Sequence, residues 1–222
     1  MILNAHSLYD FGRLASDYER WYETSAGRAH DQAQKSDVRR FLKPAKPGAR
    51  LLDVGCGTGH WSRFFASLGY EVVGVDISQK MIQVAKTCPA PHCRLQVADA
   101  LALPFGDHRF GIVAAMSTIE FVSDASVALV EMFRCVKPNG AVLIGTLNRL
   151  APINRHRLAK GRQPYASGRL LTPGELRKLL APFGRVRMVA SSPNTGRRRH
   201  RGWRIAARGT LSGPFIVAEV RP

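Results

Sequence analysis

Apolar and polar positions divide the chain into three regions with different periodicity. In residues 8–24, Phe11, Leu14, Tyr18, Trp21 and Tyr22 recur at the spacing of one helix face, which predicts an aromatic helix. Residues 28–42 predict a second helix, stopped by the Pro- and Gly-bearing stretch from Lys43 to Gly48. From Arg50 the pattern becomes an alternation of short apolar runs and helical spacing. Strands are predicted over Arg50–Val54, Glu71–Val75, Cys93–Val97, Phe110–Met116 and Ala141–Leu147. Helices are predicted over His60–Leu68, Ser78–Lys86 and Ala125–Cys135, with Lys137–Gly140 as a turn.

The last third reads differently. Thr172 is placed as an N-cap with Pro173 at the first helical position. Val186–Ala190 and Phe215–Val220 predict two more strands, separated by an Arg-dominated stretch, Asn194–Arg204. There is no internal repeat. Strand–helix alternation implies a doubly wound α/β fold: a mostly parallel seven-stranded sheet, helices on both faces, and an antiparallel last strand. One domain is expected over residues 1–222. Residues 1–48 would form a helical lid segment, 49–150 the ligand-binding core, and 151–222 a basic part completing the sheet and the substrate side.

Length and composition agree with that picture. The chain has 222 residues, 45% of them hydrophobic, enough for a buried core. No apolar run is long enough to span a bilayer, and the N-terminus lacks a signal-peptide layout, so a cytoplasmic location is expected. The four cysteines, Cys56, Cys88, Cys93 and Cys135, form no CxxC pair and read as reduced thiols. Cys88, His92 and Cys93 lack a second half-site, so no metal is expected.

Charge adds an asymmetry. The net charge is +17. Residues 1–150 hold 17 Lys and Arg against 14 Asp and Glu, a balance of +3; residues 151–222 hold 16 against 2, a balance of +14. A field of that sign attracts anions: nucleic acid, acidic lipid or an anionic small molecule.

Chemistry enters at Gly55-Cys-Gly-Thr-Gly59, between a strand and a helix. Such a loop lets a ligand approach the backbone at a helix N-terminus. The dinucleotide pattern G-x-G-x-x-G fails because its third position is His60, and no Lys-Ser or Lys-Thr follows to grip phosphate. Asp53, just before the loop, would repel a pyrophosphate and suit an ammonium or sulfonium ligand.

Leu52 to Gly59 resembles the first motif of class I methyltransferases. The similarity continues through Val73–Ser78, Met81–Ala85, Val97–Ala100, Leu103–Phe105, Phe110–Val113 and Val136–Gly140. Order and spacing resemble the type 11 branch, which includes quinone-ring and other small-molecule enzymes. The resemblance implies S-adenosylmethionine as cofactor and S-adenosylhomocysteine as product. It implies that Gly55, Gly57 and Gly59, with Cys56, leave room for the methionine end, and that Asp53 faces its amino group. Asp76, beside Ile77, would accept the ribose hydroxyls, and Asp99, beside Ala100, the adenine amine. Met116 and Ser117 would lie next to the methyl donor. Tyr18 and Tyr22 belong to the lead helix, which either folds over the cofactor or packs on the sheet; cation–π attraction to a sulfonium favours the lid.

No catalytic residue follows from the sequence. Ser117–Phe121 stands where many relatives carry a histidine. Glu120 reads either as a substitute base or as a solvated helix residue. His60, His156 and Tyr165 are polar candidates without an assigned role. Methyl transfer from a sulfonium needs a base only when the acceptor must lose a proton. A small-molecule acceptor is expected, anionic or membrane-associated acceptors included. A nucleic-acid methyltransferase and a non-catalytic S-adenosylmethionine-binding protein stay open as alternatives. Arg197, Arg198, Arg199, Arg201 and Arg204, with Trp203, are expected at the rim of the site, because a sixth strand parallel to the others would deliver them there.

Overall fold

The computed structural model describes residues 6–42, 44–190 and 211–222. The strands are β1 (Arg50–Val54), β2 (Glu71–Asp76), β3 (Cys93–Val97), β4 (Phe110–Met116), β5 (Val136–Leu147), β6 (Arg185–Val189) and β7 (Phe215–Arg221). They form one sheet in the order β3-β2-β1-β4-β5-β7-β6. Pairings from β3 across to β5 are parallel. β7 runs antiparallel to both β5 and β6, so β6 is parallel to the rest, as the sequence pattern predicts.

The helices are α1 (Arg20–Glu23), α2 (Ser25–Arg39), α3 (His60–Ser67), α4 (Gln79–Thr87), α5 (Ala125–Cys135), α6 (Pro152–Ala159) and α7 (Pro173–Leu180). Their starts follow from local chemistry. Ser78, Asp124 and Thr172 each accept a backbone N–H of the first turn, and Thr172 with Glu175 completes a capping box. Two cores cover the sheet faces. One packs Leu129 and Met132 of α5, with Leu176 and Leu180 of α7, on one face; the other packs Trp61, Phe64 and Phe65 of α3 on the opposite face. No helix among the described residues is long and apolar enough to cross a membrane.

Three local expectations change. The aromatic segment is not one helix. A 3₁₀ turn at Phe11–Arg13 and the four-residue α1 are joined by i→i−3 hydrogen bonds such as Asp17 to Leu14 and Arg20 to Asp17. Taken as whole residues, only Ala15 is buried within residues 11–24, so the segment has little core packing to hold it as one regular helix. Second, Lys137–Gly140 does not end the helix–strand unit as a free turn. Val136 pairs with Phe110 and Ala141 with Ile112, so the extra residues bulge within β5. Third, α6 falls where no element was expected. Pro152 at its first turn favours it, but a helix with only Asn154 buried carries almost no apolar periodicity.

Candidate functional site

The chain passes from β1 to β2 on one side and reaches β4 on the other, so a crevice opens beyond the C-terminal ends of β1 and β4. The glycine loop fills its floor. Cys56 N–H donates to Val75 O at 2.9 Å, Gly57 N–H to Asp76 Oδ2 at 2.9 Å and Ser78 N–H to Asp76 Oδ1 at 2.8 Å, which ties the loop to the end of β2. Burial pushes the Asp76 carboxyl up, and those two N–H groups partly offset it.

The three glycines do different work. Gly55 has φ +69°, and a Cβ there would lie 2.2 Å from Thr118 Cγ2. Thr118 in turn donates to Val54 O at 3.1 Å, so Gly55 is where the loop after β4 packs against β1. Gly57 has φ +54°, and its Cβ would meet nothing within 4 Å: the missing side chain is open space. Gly59, at φ +82°, is the N-cap of α3 and faces Arg63 and Leu95.

Above the loop lies a cavity of ≈ 840 Å³, open solvent at its mouth included. Of the residues singled out in the sequence, Tyr18, Tyr22, Gly55, Cys56, Gly57, Asp76, Ile77, Asp99, Ala100, Met116 and Ser117 all wall it. Asp53 and Gly59 do not. Asp53 is 1% exposed beneath the loop, where Ser62 Oγ donates to its Oδ2 at 2.6 Å and its Oδ1 has no partner. Burial pushes its carboxyl up to about 7, with Ser62 opposing the rise. Ser117 holds φ +54°, a left-handed conformation that costs a non-glycine residue ~1–2 kcal/mol. Its N–H donates to Gly145 O at 2.7 Å, which keeps it there.

The N-terminal segment closes the cavity from above. Residue Ser7 bridges Val122, Leu8 N–H donates to Phe121 O, and His6 Nδ1 contacts Asp99 Oδ2. Leu101 N–H takes the other oxygen of Asp99 at 2.9 Å. Further along, Glu19 is held by Thr58 Oγ1 and by Arg63 Nη2 at 3.1 Å. Burial opposes ionisation of Glu19, but hydrogen bonds from His60 and Thr58 outweigh it and hold its pKa at about 2. Tyr22 stacks on His60 at 3.7 Å and 8°, and His60 Nε2 meets Asp31 Oδ1 at 2.7 Å. The sequence pattern gave no sign that Glu19 joins Thr58, His60 and Arg63 in this clamp, since it lies 39 positions before Thr58.

A second cavity, of ≈ 1020 Å³ with open solvent included, adjoins the first. Phe11, Tyr18, Tyr22, Ser117 and Phe121 wall both. Burial pushes Tyr18 up to about 12 and Tyr22 well above the ordinary tyrosine range, so both hydroxyls stay protonated at neutral pH.

Glu120 must be corrected. It is 0% exposed, walls neither cavity and accepts Leu147 N–H at 3.1 Å, so it is neither a solvated helix residue nor a base facing the crevice. Burial pushes it up to about 7. Tyr165 walls the second cavity; His156 walls neither. Trp203 and the five arginines expected at the rim lie outside the described residues.

Comparison with known proteins bears on what such a crevice holds. A family described as a methyltransferase domain matches residues 52–144. The malonyl-[acyl-carrier protein] O-methyltransferase of Erwinia pyrifoliae is 35% identical over 162 residues, 65% of this chain and 58% of that protein. The demethylmenaquinone methyltransferase of Renibacterium salmoninarum is 39% identical over 100 residues, 45% of this chain and 42% of that protein. The chain spans about half the length of the curated relatives it matches. Among solved structures, a methyltransferase dependent on S-adenosylmethionine from Thermotoga maritima, described as a possible histamine N-methyltransferase, has a TM-score of 0.70. It is 25% identical, with 95% of this chain and 97% of that one covered.

Proposed function

This chain belongs to the class I S-adenosylmethionine-dependent methyltransferases of type 11, and from that premise we propose that it transfers a methyl group to a small molecule seated in the second cavity. The observation that carries this reading is the wall of Phe11, Tyr18, Tyr22, Ser117 and Phe121 common to the two cavities. A donor in one and an acceptor in the other would meet across it. The demethylmenaquinone methyltransferase among the relatives supports a small-molecule acceptor, whereas the malonyl-[acyl-carrier protein] O-methyltransferases act by name on a group borne by a carrier protein.

The crevice residues fit the cofactor. Open space at Gly57 leaves room for a ligand against the backbone. Asp76, with lone pairs beyond those taken by Gly57 and Ser78, would hold the ribose hydroxyls. Asp99 and the backbone of Ala100 would face the adenine edge, next to the apolar side chains of Ile77 and Met81. When bound, S-adenosylmethionine supplies a methyl on a sulfonium, open to in-line displacement.

The rest follows from this chain's own side chains. Tyr18 and Tyr22, kept protonated, donate hydrogen bonds and do not take protons at neutral pH. Phe11 and Phe121 offer no base either. Among the described residues, the shared wall therefore favours an acceptor atom that is nucleophilic without losing a proton to the protein. The rate would come from holding that atom in line and excluding water, worth up to ~7–11 kcal/mol. The strap of residues 6–24 does both by closing over the crevice.

Transfer of labelled methyl from S-adenosylmethionine into fractionated cell extract tests the reading. Label in the small-molecule fraction is expected. Label in RNA alone or in protein alone, or no label in any fraction, would overturn it.

A further inference from the structure

The second cavity is not uniformly apolar. Its wall includes aromatic and aliphatic residues, Trp21, Phe121 and Leu147 among them. It also includes Arg157 of α6 and His30 and Gln34 of α2, with the His30 ring 6.0 Å from that of Trp21. These three wall the second cavity and not the first, so they are not part of the wall that the two share.

Arg157 is built into position rather than free in solvent. Its guanidinium lies over the Tyr165 ring, 4.3 Å from the centroid, and Nη1 donates to Asn154 Oδ1 at 3.1 Å. Asn154 is itself 0% exposed and fixed by its own donors to Asn148 O and Pro214 O. Stacking and this single bond set the plane of the guanidinium and leave most of its five donors unused. Among the described residues no carboxylate lies in ion-pair distance of it. The one acid of the cavity wall, Asp17, pairs instead with Arg20 at 3.0 Å. His30 is driven toward its neutral form by burial first and by Arg157 second, so it stands as a hydrogen-bonding group and not as a second cation. A pre-oriented, unpaired guanidinium in the wall of an aromatic cavity is the arrangement that recognises a carboxylate on an apolar body.

We propose that this cavity selects a planar, largely apolar acceptor carrying a carboxylate, with the carboxylate on Arg157 and Gln34 and the accepting atom toward Ser117 and Tyr18. The role as acceptor rests on the methyltransferase reading; the carboxylate site itself does not. Arg157 is a binding residue outside the shared wall and takes no part in the displacement.

The test uses two probes of equal shape, 2-naphthoate and its neutral amide 2-naphthamide, titrated calorimetrically into the full chain with and without S-adenosylhomocysteine. The parent binds the carboxylate at least tenfold more tightly than the amide. In Arg157→Gln that preference collapses, while affinity for S-adenosylhomocysteine, whose cavity Arg157 does not wall, stays as in the parent, which also shows that the variant is folded. Arg157→Lys keeps part of the preference, since charge survives and the planar fork does not. Equal affinity for the two probes, no binding of either, or a preference that survives in Arg157→Gln overturns the proposal. Carboxylate selectivity in a chain that does not bind S-adenosylhomocysteine would keep the site and discard the methyltransferase reading.

Discussion

Gly57→Ala separates a loop shaped by folding from one shaped by a ligand. A Cβ at Gly57 would touch nothing within 4 Å, so the substitution creates no clash inside the protein. Its only internal cost is the left-handed backbone at φ +54°, ~1–2 kcal/mol for an alanine. For a chain of this length each kcal/mol lowers Tm by ~2–4 °C, so a fall of about 2–8 °C is expected and the fold survives. The new methyl enters the cavity floor, where the cofactor would press on the backbone. Affinity for S-adenosylhomocysteine should therefore drop by at least about tenfold, or ~1.4 kcal/mol. Thermal melts and calorimetric titration on the same sample give both numbers. Unchanged S-adenosylhomocysteine affinity in a variant that melts cooperatively would refute the reasoning, because the open space at Gly57 would then not be ligand space.

Three further outcomes follow from neighbouring residues. Gly55→Ala should lose more stability than Gly57→Ala, because its Cβ would lie 2.2 Å from Thr118, and Thr118→Ala in the same chain should recover part of the loss in a denaturant melt. Asp76→Ala should weaken S-adenosylhomocysteine by ~1.5–3 kcal/mol, at least tenfold by titration, since bonds to a charged acceptor are lost; parental affinity would place the ribose elsewhere. Asp53→Asn should raise the Tm of the ligand-free chain at pH 8, raise it less at pH 5, and change it little only below the ordinary carboxyl value of 3.8. Burial raises the folded carboxyl from 3.8 to about 7, so the protonated form favours folding; that contribution is full below 3.8, falls away as pH rises from there, and is gone above about 7. A flat comparison between the two pH values would remove the buried-carboxylate argument.

Most of the sheet was legible because its signals are local. Parallel strands buried on both faces read as short apolar runs, and Ser78, Asp124 and Thr172 mark the helices between them. The glycine loop and Asp76 were legible because their spacing within one strand–loop–helix unit fixes their geometry. What could not be read was assembled across the chain. Thr118 fills the space that Gly55 leaves, and His6 reaches Asp99 over 93 positions. Glu19 meets Thr58 and Arg63, again from distant segments. Periodicity reads residues 8–24 as one regular helix because it records spacing alone: Phe11, Leu14, Tyr18, Trp21 and Tyr22 do share a face, but that face walls the second cavity instead of packing into a core. α6 left no trace because it buries only Asn154, yet it brings Arg157 to the second cavity.

Side-by-side calorimetric titration of the full chain with S-adenosylhomocysteine and with NAD tests the central claim most directly. The open floor at Gly57 and the carboxylates of Asp76 and Asp99 predict saturable binding of S-adenosylhomocysteine, and the glycine spacing, with His60 in place of a third glycine, predicts none of NAD. Saturable binding of NAD with no heat from S-adenosylhomocysteine would contradict it.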